Sequence, residues 1–126
     1  MPEPRPWIAV VDDDPAVLKA LSRLLRSRAF RAESFGSGQE FLAALSEELP
    51  SCLIVDLQMP EMNGLELQQH LVSSGIDIPT ILISAHNDAA SRSGTGAFVA
   101  TLRKPLQEDV LFSAIDKAIG GSGHAG

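Results

Sequence analysis

The chain has 126 residues, 44% of them hydrophobic, and a formal net charge of −6. That is enough for one buried core and too little for a second domain, and the apolar content excludes a disordered chain. The acidic balance argues against non-specific nucleic-acid binding, and no stretch approaches the ~20 apolar residues that span a bilayer.

The first six residues, Met1 to Pro6, are polar and lack the apolar segment of a signal peptide, so they read as an N-terminal extension and a cytoplasmic setting is expected. Trp7 to Val11 is an apolar run of strand length. Asp14 then precedes Pro15, a capping residue followed by proline at the first helical position. Val17, Leu18, Leu21, Leu24 and Leu25 continue at helical spacing. Phe30 to Phe35 alternates apolar and polar residues and predicts an outer strand. Ser37 with Glu40 fits a capping box for a second helix, whose apolar face is Phe41, Leu42 and Leu45.

Leu53 to Val55 predicts the next buried strand, in a run that includes Cys52. This lone cysteine allows no internal disulfide and reads as a small buried hydrophobe. A third helix is expected over Gly64 to Leu71, a fourth strand over Pro79 to Ile83, a fifth over Phe98 to Leu102, and a last helix over Gln107 to Ile119. Residues 7–119 thus form the expected domain, and the glycine-rich residues 120–126 read as a flexible tail or a linker.

The order is strand then helix, repeated. Apolar strands without alternation mean that both sheet faces are covered, as in an α/β fold with a parallel sheet flanked by helices. In such sheets ligands bind beyond the carboxyl ends of the strands. Those ends carry Asp12, Asp13 and Asp14 after the first strand, Asp56 after the third, Ser84 after the fourth and Lys104 after the fifth. A single aspartate there is ordinarily a turn residue or a helix cap, and Asp14 fits that reading because it precedes Pro15. Asp12, Asp13 and Asp56 together repel one another unless one carries a raised pKa or a cation sits among them. A hard divalent cation with oxygen ligands resolves the conflict and leaves positions for phosphoryl oxygens.

Four motifs now stand in order: Val10-Val11-Asp12-Asp13, Asp56-Leu57-Gln58-Met59-Pro60-Glu61-Met62-Asn63-Gly64, Ile83-Ser84-Ala85 and Lys104-Pro105. Together they are similar to the receiver domain of bacterial two-component response regulators, and the likeness runs from about Ile8 to Ile119. The resemblance implies a doubly wound, flavodoxin-like fold with strand order 2-1-3-4-5 and helices on both faces. It implies that Asp56 is the phosphoacceptor, served by a sensor histidine kinase or a histidine phosphotransfer protein. It makes Asp12, Asp13, Asp56 and the backbone carbonyl of Gln58 the ligands of Mg²⁺ or Mn²⁺. Ser84 and Lys104 would hold the phosphoryl group, Pro105 would follow a cis peptide bond, and the side chains of Gln58 and His86 would border the path of hydrolytic water. Read from the residues alone, His86 is an exposed loop histidine. Met59-Pro60 and Asn63-Gly64 read as turn chemistry with no chemical role.

Two segments depart from the pattern. Asn87 to Gly96 is poor helix material, and Gly94 and Gly96 would each cost about 1 kcal/mol relative to alanine inside a helix, so a short or mobile fourth helix is expected. Thr101 stands where the family usually carries an aromatic residue, which places the usual coupling of the switch in doubt. The leading reading is a receiver that catalyses only its own phosphorylation and dephosphorylation and switches binding to a downstream protein. It binds no nucleic acid itself and inserts in no membrane. The alternatives are a phosphorylation-independent scaffold, the N-terminal fragment of a DNA-binding response regulator, and a metal-dependent phosphatase with an Asp nucleophile.

Overall fold

The computed structural model describes residues 7–45, 48–85, 98–104 and 106–120, and the backbone of 121–123. Five strands form one sheet: β1 (Trp7–Val11), β2 (Arg31–Phe35), β3 (Cys52–Asp56), β4 (Thr80–Ser84) and β5 (Ala100–Arg103). Every pairing is parallel, and the spatial order is β2-β1-β3-β4-β5. The helices among the described residues are α1 (Pro15–Ser27), α2 (Gly38–Ala44), α3 (Gly64–Ser73) and α4 (Glu108–Gly123).

The central strands are buried on both faces, and their alternating side chains feed two separate cores. Ile8, Val10, Ile54, Ile81 and Ile83 pack with Leu21 and Leu25 of α1 and with Leu111 and Ile115 of α4. Ala9, Val11, Leu53, Val55 and Leu82 pack with Phe41 of α2 and with Leu67 and Leu71 of α3. This accounts for the continuous apolar runs: a strand covered on both sides has no solvent face on which to place a polar residue.

The helix starts follow their capping chemistry. Asp14 Oδ1 accepts the Ala16 N–H at 2.9 Å, with Pro15 at the first position, as the sequence leads one to expect. Ser37 Oγ accepts the Glu40 N–H, but the Glu40 carboxylate accepts from the Gly36 N–H, one residue before the cap, so this box closes on a different partner. The reciprocal box sits at α3 instead, where Asn63 and Glu66 each accept the other's backbone N–H at 2.8 and 2.9 Å.

The expected boundaries shift by a residue or two at several elements, and three of the shifts have a structural reason. Phe30 does not begin β2. Ala29 takes the left-handed conformation (φ 67°), and the Phe30 N–H donates to Leu25 O while the Ala29 N–H donates to Arg26 O. That pattern is a Schellman stop for α1, and it turns the Phe30 ring onto Phe112 of α4, with centroids 6.3 Å apart. β5 starts at Ala100 rather than Phe98, whose side chain packs into the α3-side core. α4 continues past Ile119 to Gly123, where helical backbone hydrogen bonding extends a segment already anchored by Ile115 and Ala118. The expected fourth helix, over Asn87 to Gly96, lies outside the described residues.

Candidate acidic phosphoryl and metal site

The sheet order itself creates the site. From β1 the chain crosses to β2 on one side, while β3 lies on the other, so a crevice opens where the crossovers diverge. Val11 pairs with Val55, which sets Asp12 and Asp56 side by side as the next residues of adjacent strands. Both carboxylates are nearly inaccessible, with 0% and 4% exposure, whereas Asp13 is exposed. One carboxylate oxygen from each of Asp12, Asp13 and Asp56 lies within 4.8 Å of the others.

Lys104 reaches this group from the far side. It follows β5, and its N–H donates to Ser84 O at 2.9 Å, which ties the end of β5 to the end of β4. Its ammonium stands 3.3 Å from Asp12 Oδ2 and 3.2 Å from Asp56 Oδ2. The remaining oxygens are held by the backbone: the Asp14 N–H donates to Asp12 Oδ1 at 2.9 Å, and the Gln58 N–H to Asp56 Oδ1 at 3.1 Å. Ser84, 1% exposed, ends the strand next to Asp56, with Asp56 opposite Ile83 in the register.

The electrostatics are unbalanced. Three carboxylates face one ammonium. Burial pushes the Asp12 carboxyl above its ordinary range, and the neighbouring Asp56 charge adds to this; the Asp14 N–H and Lys104 pull the other way without cancelling it. For Lys104, burial disfavours the charged form, but Asp12 and Asp56 outweigh it and raise its pKa, so the ammonium persists at neutral pH. Oxygen-only donors with excess negative charge fit a hard divalent cation such as Mg²⁺.

A close backbone approach shapes the wall of the site. A Cβ at Gly64 would lie 2.8 Å from both Asp56 O and Leu82 Cδ1, so only glycine lets α3 start directly against the end of β3. The Gly64 N–H donates to Leu57 O at 3.1 Å. Between them the loop turns at Glu61, whose φ is 70°, and the Met62 N–H donates to Pro60 O. Asn63 and Gly64 therefore do more than turn the chain, and the Asn-x-x-Glu spacing was the signal for the cap.

Of the residues singled out in the sequence, Asp12, Asp13, Asp56, Ser84 and Lys104 gather at one edge. Gln58 is exposed beside them. Thr101 lies on β5, exposed and opposite Leu82. Pro105 and His86 lie outside the described residues. Cys52 is fully buried, and burial pushes its thiol up to about 12.

A doubly wound parallel sheet with an aspartate pair and a lysine at its switch point defines a signalling domain of the receiver class. The model of the response regulator receiver domain matches residues 8–116, and the chain belongs to that family. Among curated relatives, the response regulator protein TmoT of Ectopseudomonas mendocina is 41% identical over 114 residues, covering 89% of this chain and 52% of TmoT. The transcriptional regulatory protein FixJ of Rhizobium meliloti is 33% identical over 116 residues, covering 88% of this chain and 55% of FixJ. The chain thus spans about half the length of these relatives. Among solved structures, the response regulator StyR superposes with a TM-score of 0.84 at 36% identity, covering 92% of this chain and 60% of that one. TrrA of Thermotoga maritima, solved in complex with Mg²⁺ and BeF, gives 0.81 at 25% identity, covering 90% and 98%.

Proposed function

We propose that Asp56 takes a phosphoryl group from a phosphohistidine on a sensor histidine kinase or a histidine phosphotransfer protein, and that this switches binding to a downstream protein. The observation that carries the reading is the convergence of Asp12, Asp13 and Asp56 with the Lys104 ammonium 3.2 Å from Asp56. In the transfer an Asp56 oxygen forms a P–O bond as the P–N bond of the donor breaks. The electron pair stays on the imidazole nitrogen, and an imidazole protonated on its other nitrogen leaves neutral, so this chain need supply no proton.

The residues divide the work. Lys104, held between two carboxylates, would pair with a phosphoryl oxygen and offset its charge. Ser84, at the end of the adjoining strand, would hydrogen-bond the same group. Asp12, Asp13, Asp56 and the Gln58 carbonyl would hold Mg²⁺ or Mn²⁺, which when bound neutralises the carboxylates and the transferring phosphoryl oxygens. That TrrA was solved in complex with Mg²⁺ and BeF supports divalent-cation binding in general. An apolar groove of about 240 Å³ between Val17, Ala20, Leu24 and Leu106 opens beside Lys104 and gives a donor protein a surface near Asp56. The Gln58 side chain and His86 would tune the lifetime of the acyl phosphate. The chain acts catalytically only on itself, and the output lies with a further module or a separate protein, as the greater length of TmoT and FixJ suggests.

Intact-mass measurement with acetyl phosphate tests the reading. The expected result is a gain of one phosphoryl group that requires Mg²⁺ and is absent in Asp56→Asn. Equal labelling of wild type and variant would refute it.

A further inference from the structure

The cations of this acidic chain are unevenly placed. Lys19, Arg23, Arg26, Arg28 and Arg31 fall in a stretch with no acid between Asp14 and Glu33. Two of the five are neutralised within the fold: Arg28 pairs with Glu108, and Arg31 with Glu33 and Glu48. Lys19, Arg23 and Arg26 have no carboxylate partner among the described residues. All three are exposed, and they line one side of an open groove of about 590 Å³ between α1 and the edge strand β2.

The groove is distinct from the acidic site. Its floor is apolar where Leu18 is half-buried, and hydroxyls stand at Ser22 and Ser34. Along the helix axis Lys19 and Arg23 are separated by about 6 Å, since each residue rises about 1.5 Å. In an extended segment, carboxylates on alternate residues recur about every 6.7 Å. Among the described residues no aromatic side chain lines the groove on which a base could stack, and the net charge of −6 repels a nucleic-acid backbone beyond this stripe.

We infer that the groove between α1 and β2 docks an extended acidic segment of a partner protein, pairing its carboxylates with Lys19, Arg23 and Arg26 and setting an apolar side chain on Leu18. Charge complementarity carries this: Lys19 and Arg23, with Arg26 held by its hydrogen bond to Ala32 O at 3.2 Å, border the half-buried Leu18, and none of the three has a carboxylate partner among the described residues. The surface is independent of phosphorylation chemistry at Asp56.

Fluorescence anisotropy with a labelled peptide alternating Glu and Leu tests the inference. Saturable binding that weakens with added salt is expected, with affinity about tenfold lower in Lys19→Glu/Arg23→Glu and intermediate in Lys19→Gln/Arg23→Gln. Lys117→Glu, an equal change of charge per site on α4, should leave binding unchanged. Weakening by Lys117→Glu as large as that by Lys19→Glu alone would overturn the inference, because attraction would then reflect net charge alone. Tighter binding of a labelled thymidine oligonucleotide than of the peptide, lost in the same double variant, would overturn the acidic-protein assignment.

Discussion

Asp12 shows what the site costs the fold. Its carboxyl is fully buried next to Asp56, and its pKa lies above the ordinary 3.8. A carboxyl whose folded pKa is raised contributes stability below its unfolded value and loses it as pH rises through the folded value. The cation-free protein is therefore destabilised by this residue at neutral pH. Asp12→Asn should be about 1 kcal/mol more stable than wild type near pH 7, with the gain vanishing below pH about 4, as urea melts across pH would show. Added Mg²⁺ should narrow the difference by stabilising the wild type more. A variant less stable than wild type at pH 7 would contradict this account. Gly64 makes the opposite case, a residue needed for its missing side chain. Gly64→Ala places a methyl 2.8 Å from Asp56 O, so α3 or the end of β3 must shift, at about 1–3 kcal/mol. Thermal melting should show the loss, and phosphorylation should slow in parallel.

At the scale of elements, the central strands β1, β3 and β4 were the most legible parts of the sequence, because burial on both faces writes itself as unbroken apolar runs, whereas the edge strands β2 and β5 were placed with shifted starts. The start of α1 was equally plain from Asp14 and Pro15. Its end was not. Ala29 occupies the left-handed position that glycine usually takes, so no residue type signalled the stop, and the alternation from Phe30 onward read as strand. Ala29→Gly relieves that conformation, which costs roughly 1–2 kcal/mol for an L-residue, against the added freedom of the unfolded chain. A net stabilisation of about 0.5 kcal/mol is expected in chemical denaturation, and a loss of stability would refute the strain. At α2 the Ser37 and Glu40 spacing found the helix but not the partner of Glu40, which accepts from the Gly36 N–H at 3.1 Å. At α3 the reading stopped at turn chemistry and passed over the Asn63 and Glu66 box that fixes the helix against the site.

For the whole molecule, one sheet with a core on each face explains why a modest chain holds a buried acidic cluster. The clusters on either side clamp β1, β3 and β4, and their carboxyl ends are buried where Asp12, Asp56 and Ser84 sit. Candidate residues at the strand ends were legible because the fold class says where ligands bind. Their geometry was not, since it depends on the Val11–Val55 register and on Lys104 crossing from β5. Cys52 probes the integrity of this core. Its thiol, pushed up to about 12 from 9.0, favours the folded state below pH 9 and loses that contribution as pH rises toward 12. Near pH 8 a thiol reagent should modify Cys52 only as fast as the protein opens, and rapid modification of the native protein would show the core to be breached.

The most direct test of the central claim is to locate the phosphoryl group. Protein treated with acetyl phosphate and Mg²⁺ is reduced with borohydride, which converts an aspartyl phosphate to homoserine, and then digested and sequenced by mass spectrometry. Homoserine at position 56 alone is the predicted result. Homoserine at Asp12 or Asp13, or none anywhere in a folded protein that has gained phosphoryl mass, would contradict Asp56 as the phosphoacceptor.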